Sequence, residues 1–304
     1  MTIQTGIGTG LSRSTNRAIR GARTAISDTG THEYRSIIVL YDGLGCDGEE
    51  VAHRIRRQFG PRVRFAGGAA SDNYQLDSTP VFHGDDIVHD GIVIATIDSN
   101  QPIILTDSHG HEPISEPLEV TATSGRMIEE LNGEPAFDVW RAIVKPYARD
   151  MFDIDIDESV TDRSQLLRMT GVFEFGIDQG GSYKMRACIE SDPKRGTMSS
   201  LVAIPEGTRL RIMRGTVESQ IASAKAAAKA SHEASIHPYA GAFVFDCCCR
   251  HVILGDEFER AIDEIRQELP VPLIGFETYG ELCMDLDETS GFHNSTTVIG
   301  LVPE

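Results

Sequence analysis

Lysine is what this sequence most lacks. Only five of its 28 basic residues are lysine (Lys145, Lys184, Lys194, Lys225, Lys229), and 46 acidic residues face them across 304 positions, for a formal net charge of −18. No basic stripe is available to neutralise phosphates, which excludes nucleic acid as an expected partner. Long apolar runs are missing too. None approaches the roughly 18 residues that a membrane helix needs, and the start, MTIQTGIGTGLSRSTNR, lacks a signal peptide's order of basic, apolar and small residues. Six cysteines, three of them adjacent, do not make the spaced framework of a small secreted domain, so free thiols and a cytoplasmic location are expected. Lysine scarcity with excess carboxylate on a folded chain reads as a surface adapted to high salt, where screening falls to about 3 Å in molar electrolyte and self-repulsion fades. The melting temperature is expected to rise with KCl; a melting point flat in KCl would overturn the halophilic reading.

A chain of this length with 40% hydrophobic residues suits two domains rather than one. Ala18, Ile19, Ala22 and Ile26 recur at helical spacing behind Ser12 and Ser14, candidate caps. SIIVLYDG then reads as a strand, and GEEVAHRIRRQF as a helix with Val51, Ile55 and Phe59 on one face and Glu49 and Glu50 in its first turn. RVRFAGGAASD is a second strand, and a hairpin is predicted around Gly84 to Asp86. A helix is expected from Pro135, an acidic connector over 150–165, and further strands in GVFEFGID, YKMRACIESD and TMSSLVAIPEGTRLRIM. An alanine-rich helix over 217–234 precedes a strand that includes GAFVFDCCCR, a helix carrying Phe258, Ile262, Ile265 and Leu269, and the strands VPLIGFETYGE and STTVIGLVP.

The back of the chain echoes the front. GEEVAHRI and GDEFERAI each follow an apolar strand ending in aromatic-Asp (Tyr41-Asp42, Phe245-Asp246), and each leads to a glycine-turned strand and later a Phe-His pair (Phe82-His83, Phe292-His293). The fold class expected is α/β: two α/β domains with mixed sheets, built on a weak internal β-α-β-β duplication and divided as 1–132 and 133–304. A cleft between two such halves is a common ligand position.

Three consecutive cysteines on a strand cannot all chelate one ion, because Cys248 would point away from Cys247 and Cys249, and paired zinc spacings are absent. No metal and no cofactor are therefore expected. A nucleophilic role would need a base such as His251 or His293 and a lowered thiol pKa; packing as small hydrophobes is the expectation for at least two of the three. GIGTG at 6–10 reads as a turn rather than a phosphate loop, and HGHEP at 109–113 as a turn rather than a zinc helix. GFETYGE and GFHNSTT mix glycines, an aromatic, a carboxylate, an imidazole and an amide. With Arg250 as a bidentate carboxylate partner they suit a small polar ligand.

FVFDCCCR, GDEFERAI, VPLIGFETYGELC and FHNSTTVIGLVP together resemble the end of the FIST family, a sensory module of signalling proteins. FAGGAASDNYQLDSTPVFHGDDIVHDGIVIATI is similar to the N-terminal domain of that family, and GHEPISEPLEVTATSGRMIEELNGEPA to its link into the C-terminal domain. Full-length relatives usually carry a further αβ segment in front, so the resemblance implies an N-terminally shortened chain. It also implies an intracellular sensory or signal-transduction protein that binds a small, amino-acid-like ligand in the C-terminal domain or the cleft between domains. The motif positions are Gly67, Gly68 and Asp72 in front and Cys247, Arg250, Gly275, Tyr279, Gly280, Glu281, His293 and Asn294 behind. The ligand contacts expected among them are Cys247, Arg250, Tyr279, Glu281, His293, Asn294, Gly67, Gly68 and Asp72. The alternative is a cysteine-dependent hydrolase or transferase using Cys247 or Cys249 with His293. The signalling partner is unassigned.

Overall fold

The computed structural model describes residues 1–27, 32–159, 162–286 and 290–304. Its class is α/β, with several mixed sheets. The described residues form two compact units, one of 1–109, 221–250 and 257–304, the other of 110–220 and 251–256. The sequence expectation divided the chain linearly at 132/133, a point on the turn between the strands Met127–Leu131 and Glu134–Pro135 inside the second unit.

The first unit runs β1 (Thr2–Thr9), α1 (Thr15–Thr24), β2 (Tyr34–Tyr41), α2 (Gly48–Phe59), β3 (Arg64–Ala69), β4 (Val81–His83), β5 (Asp86–Val88), β6 (Gly91–Ser99) and β7 (Ile104–Ser108). The chain returns to it with α3 (Val217–Ala234, from Ile221 onward), β8 (Tyr239–Cys247), the first turn of α4 (Cys248–Leu254), α5 (Phe258–Glu268), β9 (Leu273–Thr278), β10 (Glu281–Met284), β11 (Phe292–His293) and β12 (Thr297–Pro303). Helix α1 starts where expected, with the Ser14 hydroxyl accepting from the Arg17 amide at 3.3 Å. Helix α2 is capped by Asp47, whose carboxylate accepts from the Glu49 amide at 2.8 Å, and buries Val51, Ala52 and Ile55.

Besides the two-stranded β4–β5 hairpin expected around Gly84 to Asp86, two larger sheets form, in the orders β1-β6-β2-β3-β10-β11 and β9-β8-β12-β7. The duplication legible in sequence is present in their topology. β2 and β3 pair in parallel around α2, from Ser36 opposite Arg64 to Tyr41 opposite Ala69, and β8 and β9 pair in parallel around α5, from Ala242 opposite Leu273 to Cys247 opposite Thr278. In each sheet the first strand of the parallel pair is flanked on its other side by two successive antiparallel neighbours, β6 and β1 or β12 and β7. Ile38, Ala66, Ile97, Phe245, Cys283 and Val298 pack into one buried cluster between the sheets.

Three local expectations are corrected. GIGTG is not a turn over its length: Gly6 and Gly8 lie in β1, paired with Ile94 and Ile92. A Cβ on Gly6 or Gly8 would sit 2.0 or 1.9 Å from the backbone oxygen of Ala22 or Ala18, so glycine is what lets α1 lie on the strand. HGHEP contributes a short strand, His111–Pro113, which pairs with Arg209–Gly215. The run GAFVFDCCCR is a strand only to Cys247, and helix α4 begins at Cys248.

The second unit holds a nine-stranded antiparallel sheet packed by the helices Ala136–Phe152 and Arg163–Val172 over Phe137, Trp140, Phe173 and Phe175. The Trp140 indole donates to the Phe173 carbonyl at 2.9 Å, which satisfies its polar atom in the core. The acidic connector, apart from residues 160–161 outside the described set, contains the short helix Ile156–Ser159 and the Asp162 cap of the next one. GVFEFGID is extended only over Phe175–Asp178, because Gly171 and Val172 end that helix.

Candidate functional site

All nine residues expected to meet a ligand lie in the first unit, at or near the carboxyl ends of β3, β8 and β9 and on β10 and β11. The carboxyl ends of parallel strands are where α/β sheets usually bind ligands. Gly67 and Gly68 pair with Leu282 and Glu281 across the β3–β10 ladder, and Glu281 pairs on its other side with His293. A Cβ on Gly68 would come within 2.4 Å of the Thr278 methyl, so glycine there admits the β9–β10 turn. The Tyr279 hydroxyl donates to Asp72 Oδ1 at 2.5 Å and accepts from the Tyr74 amide at 2.7 Å. The other contacts of the Asp72 carboxylate are the amides of Leu76, Asp77 and Ser78 at 2.7–3.0 Å. Burial alone would raise that carboxyl; the Tyr279 hydroxyl and the three amides hold it well below the usual range.

Strand alternation then separates two neighbourhoods. Asp246 lies on the face of β8 opposite Phe245, and Cys247 shares the Phe245 face. Asp246 Oδ1 meets Arg250 Nε at 2.6 Å and accepts from the Thr297 hydroxyl at 2.7 Å; Arg250 also donates to the Ser223 hydroxyl on α3 at 2.9 Å. Arg250 is 0% exposed and Asp246 3%, so the guanidinium reaches no solvent and braces a buried carboxylate four residues behind it. Asp246 Oδ2 has no hydrogen-bond partner among the described residues.

On that side β8, β9 and α5 line a half-open cavity of about 240 Å³. Its apolar lining includes Val244, Phe258, Ile262 and Ile265, and Asp246, Glu277 and Arg266 bring charge to it. Arg266 is half-exposed and held by Glu259 at 2.7 Å and Asp263 at 2.9 Å. Sequence reasoning missed these residues. Glu277 sat inside the singled-out GFETYGE, and the i,i+4 spacing of Asp246 and Arg250 was the available signal for their pairing. Phe258 and Ile262 read as ordinary core.

On the other side, the turn from strand to helix overturns the alternation argument for the cysteines. Once the backbone leaves the extended form at Cys247, Cys248 no longer points away, and the three sulfurs lie within 4.8 Å of one another. Sulfur-to-sulfur hydrogen bonds from Cys247 and Cys249, opposed by burial and aided by the Tyr74 hydroxyl, hold the Cys248 thiol down to about 5. The same sharing pushes Cys247 up to about 12 and Cys249 well above its ordinary value. Burial first, then the neighbouring Cys247, lifts the Glu281 carboxyl well above its ordinary value. The pairing expected for a hydrolase, Cys247 or Cys249 with His293, meets two thiols held protonated and an imidazole whose Nε2 is 3.1 Å from the Cys283 carbonyl. Asn294 is fully buried and donates to the His293 carbonyl at 3.0 Å.

Among known proteins, the chain is similar to two uncharacterised proteins of Mycobacterium tuberculosis, MT0656 (strain CDC 1551 / Oshkosh) and Rv0628c (strain ATCC 25618 / H37Rv). Each is 25% identical over 230 residues, covering 73% of this chain and 56% of the relative. The uncharacterised protein MJ1623 of Methanocaldococcus jannaschii is 25% identical over 259 residues, 80% of this chain and 49% of that protein. The chain therefore spans about half the length of the curated relatives it matches. No helix among the described residues is long and apolar enough to cross a membrane. FIST domains are sensory domains of signal-transduction proteins. Residues 1–134 match the model of the FIST N domain and residues 136–284 that of the FIST C domain, and the chain belongs to the FIST family.

Proposed function

We propose that this chain is a cytoplasmic sensory module whose ligand is a small amino-acid-like zwitterion bound in the cavity between β8, β9 and α5. The observation that carries the reading is a cavity of about 240 Å³, the size of one such molecule, with a buried carboxylate at its wall. An ammonium group would meet Asp246 and Glu277, a carboxylate the Arg266 guanidinium, and an apolar side chain Val244, Phe258 and Ile262. Arg250 then serves the site indirectly, by holding Asp246 in place beneath the ligand. Tyr279, Asp72, Glu281, His293, Asn294, Gly67, Gly68 and Cys247 hold the adjoining turns that this wall depends on. Six free cysteines suit a reducing compartment.

A thermal-shift screen of neutral amino acids and simple amines at high KCl tests the proposal. A true ligand at a hundredfold excess over its Kd is expected to stabilise the protein by about 2.7 kcal/mol. Ile262→Trp, which fills the cavity from α5, is expected to abolish the shift while leaving the fold intact. No shift for any compound, or the same shift in Ile262→Trp, would refute the site.

A further inference from the structure

We propose that Cys247, Cys248 and Cys249 form a tris-thiolate site for a trivalent thiophilic metalloid, captured as arsenous acid. The site lies on the opposite face of β8 from the cavity described above and shares no side chain with its lining, so it goes beyond the small-ligand reading. Three sulfurs within 4.8 Å of one another match a central atom bonded to all three. Bonds of about 2.3 Å in the pyramid that the arsenic lone pair imposes set neighbouring sulfurs roughly 3.5 Å apart, an adjustment of side chains. Thiolate donors select soft ions.

Two further observations choose among soft ions. No histidine, aspartate or glutamate joins the three sulfurs within the same distance among the described residues, so the site is three-coordinate, whereas structural zinc takes four ligands. The surroundings also disfavour net charge. Cys247 and Cys248 are buried, Cys247 hydrogen-bonds the buried Glu281 carboxyl, and the nearby guanidinium of Arg250 is paired with Asp246 at 2.6 Å. Three thiolates around a monovalent or divalent cation would leave a buried negative complex; around a trivalent centre they leave none.

The chemistry balances without an oxidant or reductant. Three As–O bonds are replaced by three As–S bonds, and each hydroxyl of As(OH)3 leaves as water with a proton from the incoming thiol or, where that sulfur is already a thiolate, from solvent. Entry is over Tyr74, which is 41% exposed on the β3–β4 connection and whose hydroxyl hydrogen-bonds the Cys248 sulfur.

The test uses the reduced full-length protein with arsenite at high KCl. Native mass spectrometry is expected to show one arsenic per chain with the loss of three protons, and X-ray absorption at the arsenic edge three sulfur neighbours and no oxygen. Cys248→Ser is expected to weaken arsenite at least about a hundredfold, since even outer partners of a metal site cost up to that much. Cys46→Ser, at a half-buried cysteine outside the cluster, is expected to change nothing. Two sulfurs with one oxygen, no uptake, or equal uptake in Cys248→Ser would each overturn the proposal. Should Cys248→Ser fail to fold, the absorption spectrum of the unaltered protein decides alone.

Discussion

Arg250→Ala is expected to cost about 3–5 kcal/mol of folding stability, the range for removing one partner of a buried ion pair. The guanidinium is wholly buried, and Asp246 beside it is 3% exposed. Truncation would leave that carboxylate with the Thr297 hydroxyl as its remaining described donor. The carboxylate would lose its charged partner. Arg250→Lys is expected to recover only part of the loss, because one ammonium cannot meet Asp246 and the Ser223 hydroxyl together as the planar fork does. The double change Asp246→Asn with Arg250→Met is expected to recover more than either single change, since no buried charge remains. Urea unfolding followed by circular dichroism at fixed KCl measures each variant against the unaltered protein. A loss below about 1 kcal/mol in Arg250→Ala would mean that the pair contributes no more than an exposed one. It would return Arg250 to the role of an open ligand anchor.

The parts of this fold carried by periodicity and caps were legible. Ser14, one of the two caps expected, does cap α1, and Ile265 of the expected α5 stripe is buried, whereas the Asp47 cap of α2 and the burial of Ala261 were not read from the sequence. The duplication was legible from a handful of residues, because both copies need an acidic, amphipathic helix to cross between parallel strands. What escaped was set by tertiary partners rather than local preference. GIGTG has almost no strand propensity, and it is extended because β6 pairs with it and α1 lies against its glycines. The second unit is inserted between β7 and α3, within the second copy of the duplicated pattern, an arrangement that no composition shift marks. At the site, the nine residues drawn from four motifs do share one unit. Their split between the two faces of β8 follows from strand alternation, and the closeness of the three cysteines from a single event the sequence hid, the change from strand to helix between Cys247 and Cys248. Three small residues in a row favour neither state strongly. Asp246, bonded to Arg250 one turn on and to Thr297 across the sheet, ties the end of the strand to the first turn of the helix.

Glu281→Gln is expected to stabilise the protein at neutral pH, an unusual direction for a change in a buried, hydrogen-bonded residue. Burial, with Cys247 and Asp246 nearby, lifts the Glu281 carboxyl well above its ordinary value of 4.5. The folded chain therefore keeps this group protonated where the unfolded chain ionises it. A raised carboxyl contributes its full stability below about 4.5 and loses it progressively as pH rises toward the folded value. Glutamine has the same shape and never ionises, so it escapes that loss. The Thr278 hydroxyl, which donates to Glu281 Oε1 and also reaches the Asp246 carbonyl at 3.4 Å, can turn to the latter and accept from the glutamine amide, while the glutamine oxygen accepts from the Thr296 amide as Glu281 Oε2 does at 3.3 Å. The expected gain is nil at pH 4 and at least about 1.4 kcal/mol at pH 7.5, the linkage value of a single pKa unit. Unfolding free energies of the two proteins against pH, at constant KCl, give the result directly. Parallel curves would mean that Glu281 ionises normally inside the fold, and a deficit that grows with pH would mean that its carboxylate is held by a cation. In the expected case the difference widens from pH 4.5 upward, because the energy comes from the proton and not from the contacts, which the two side chains share.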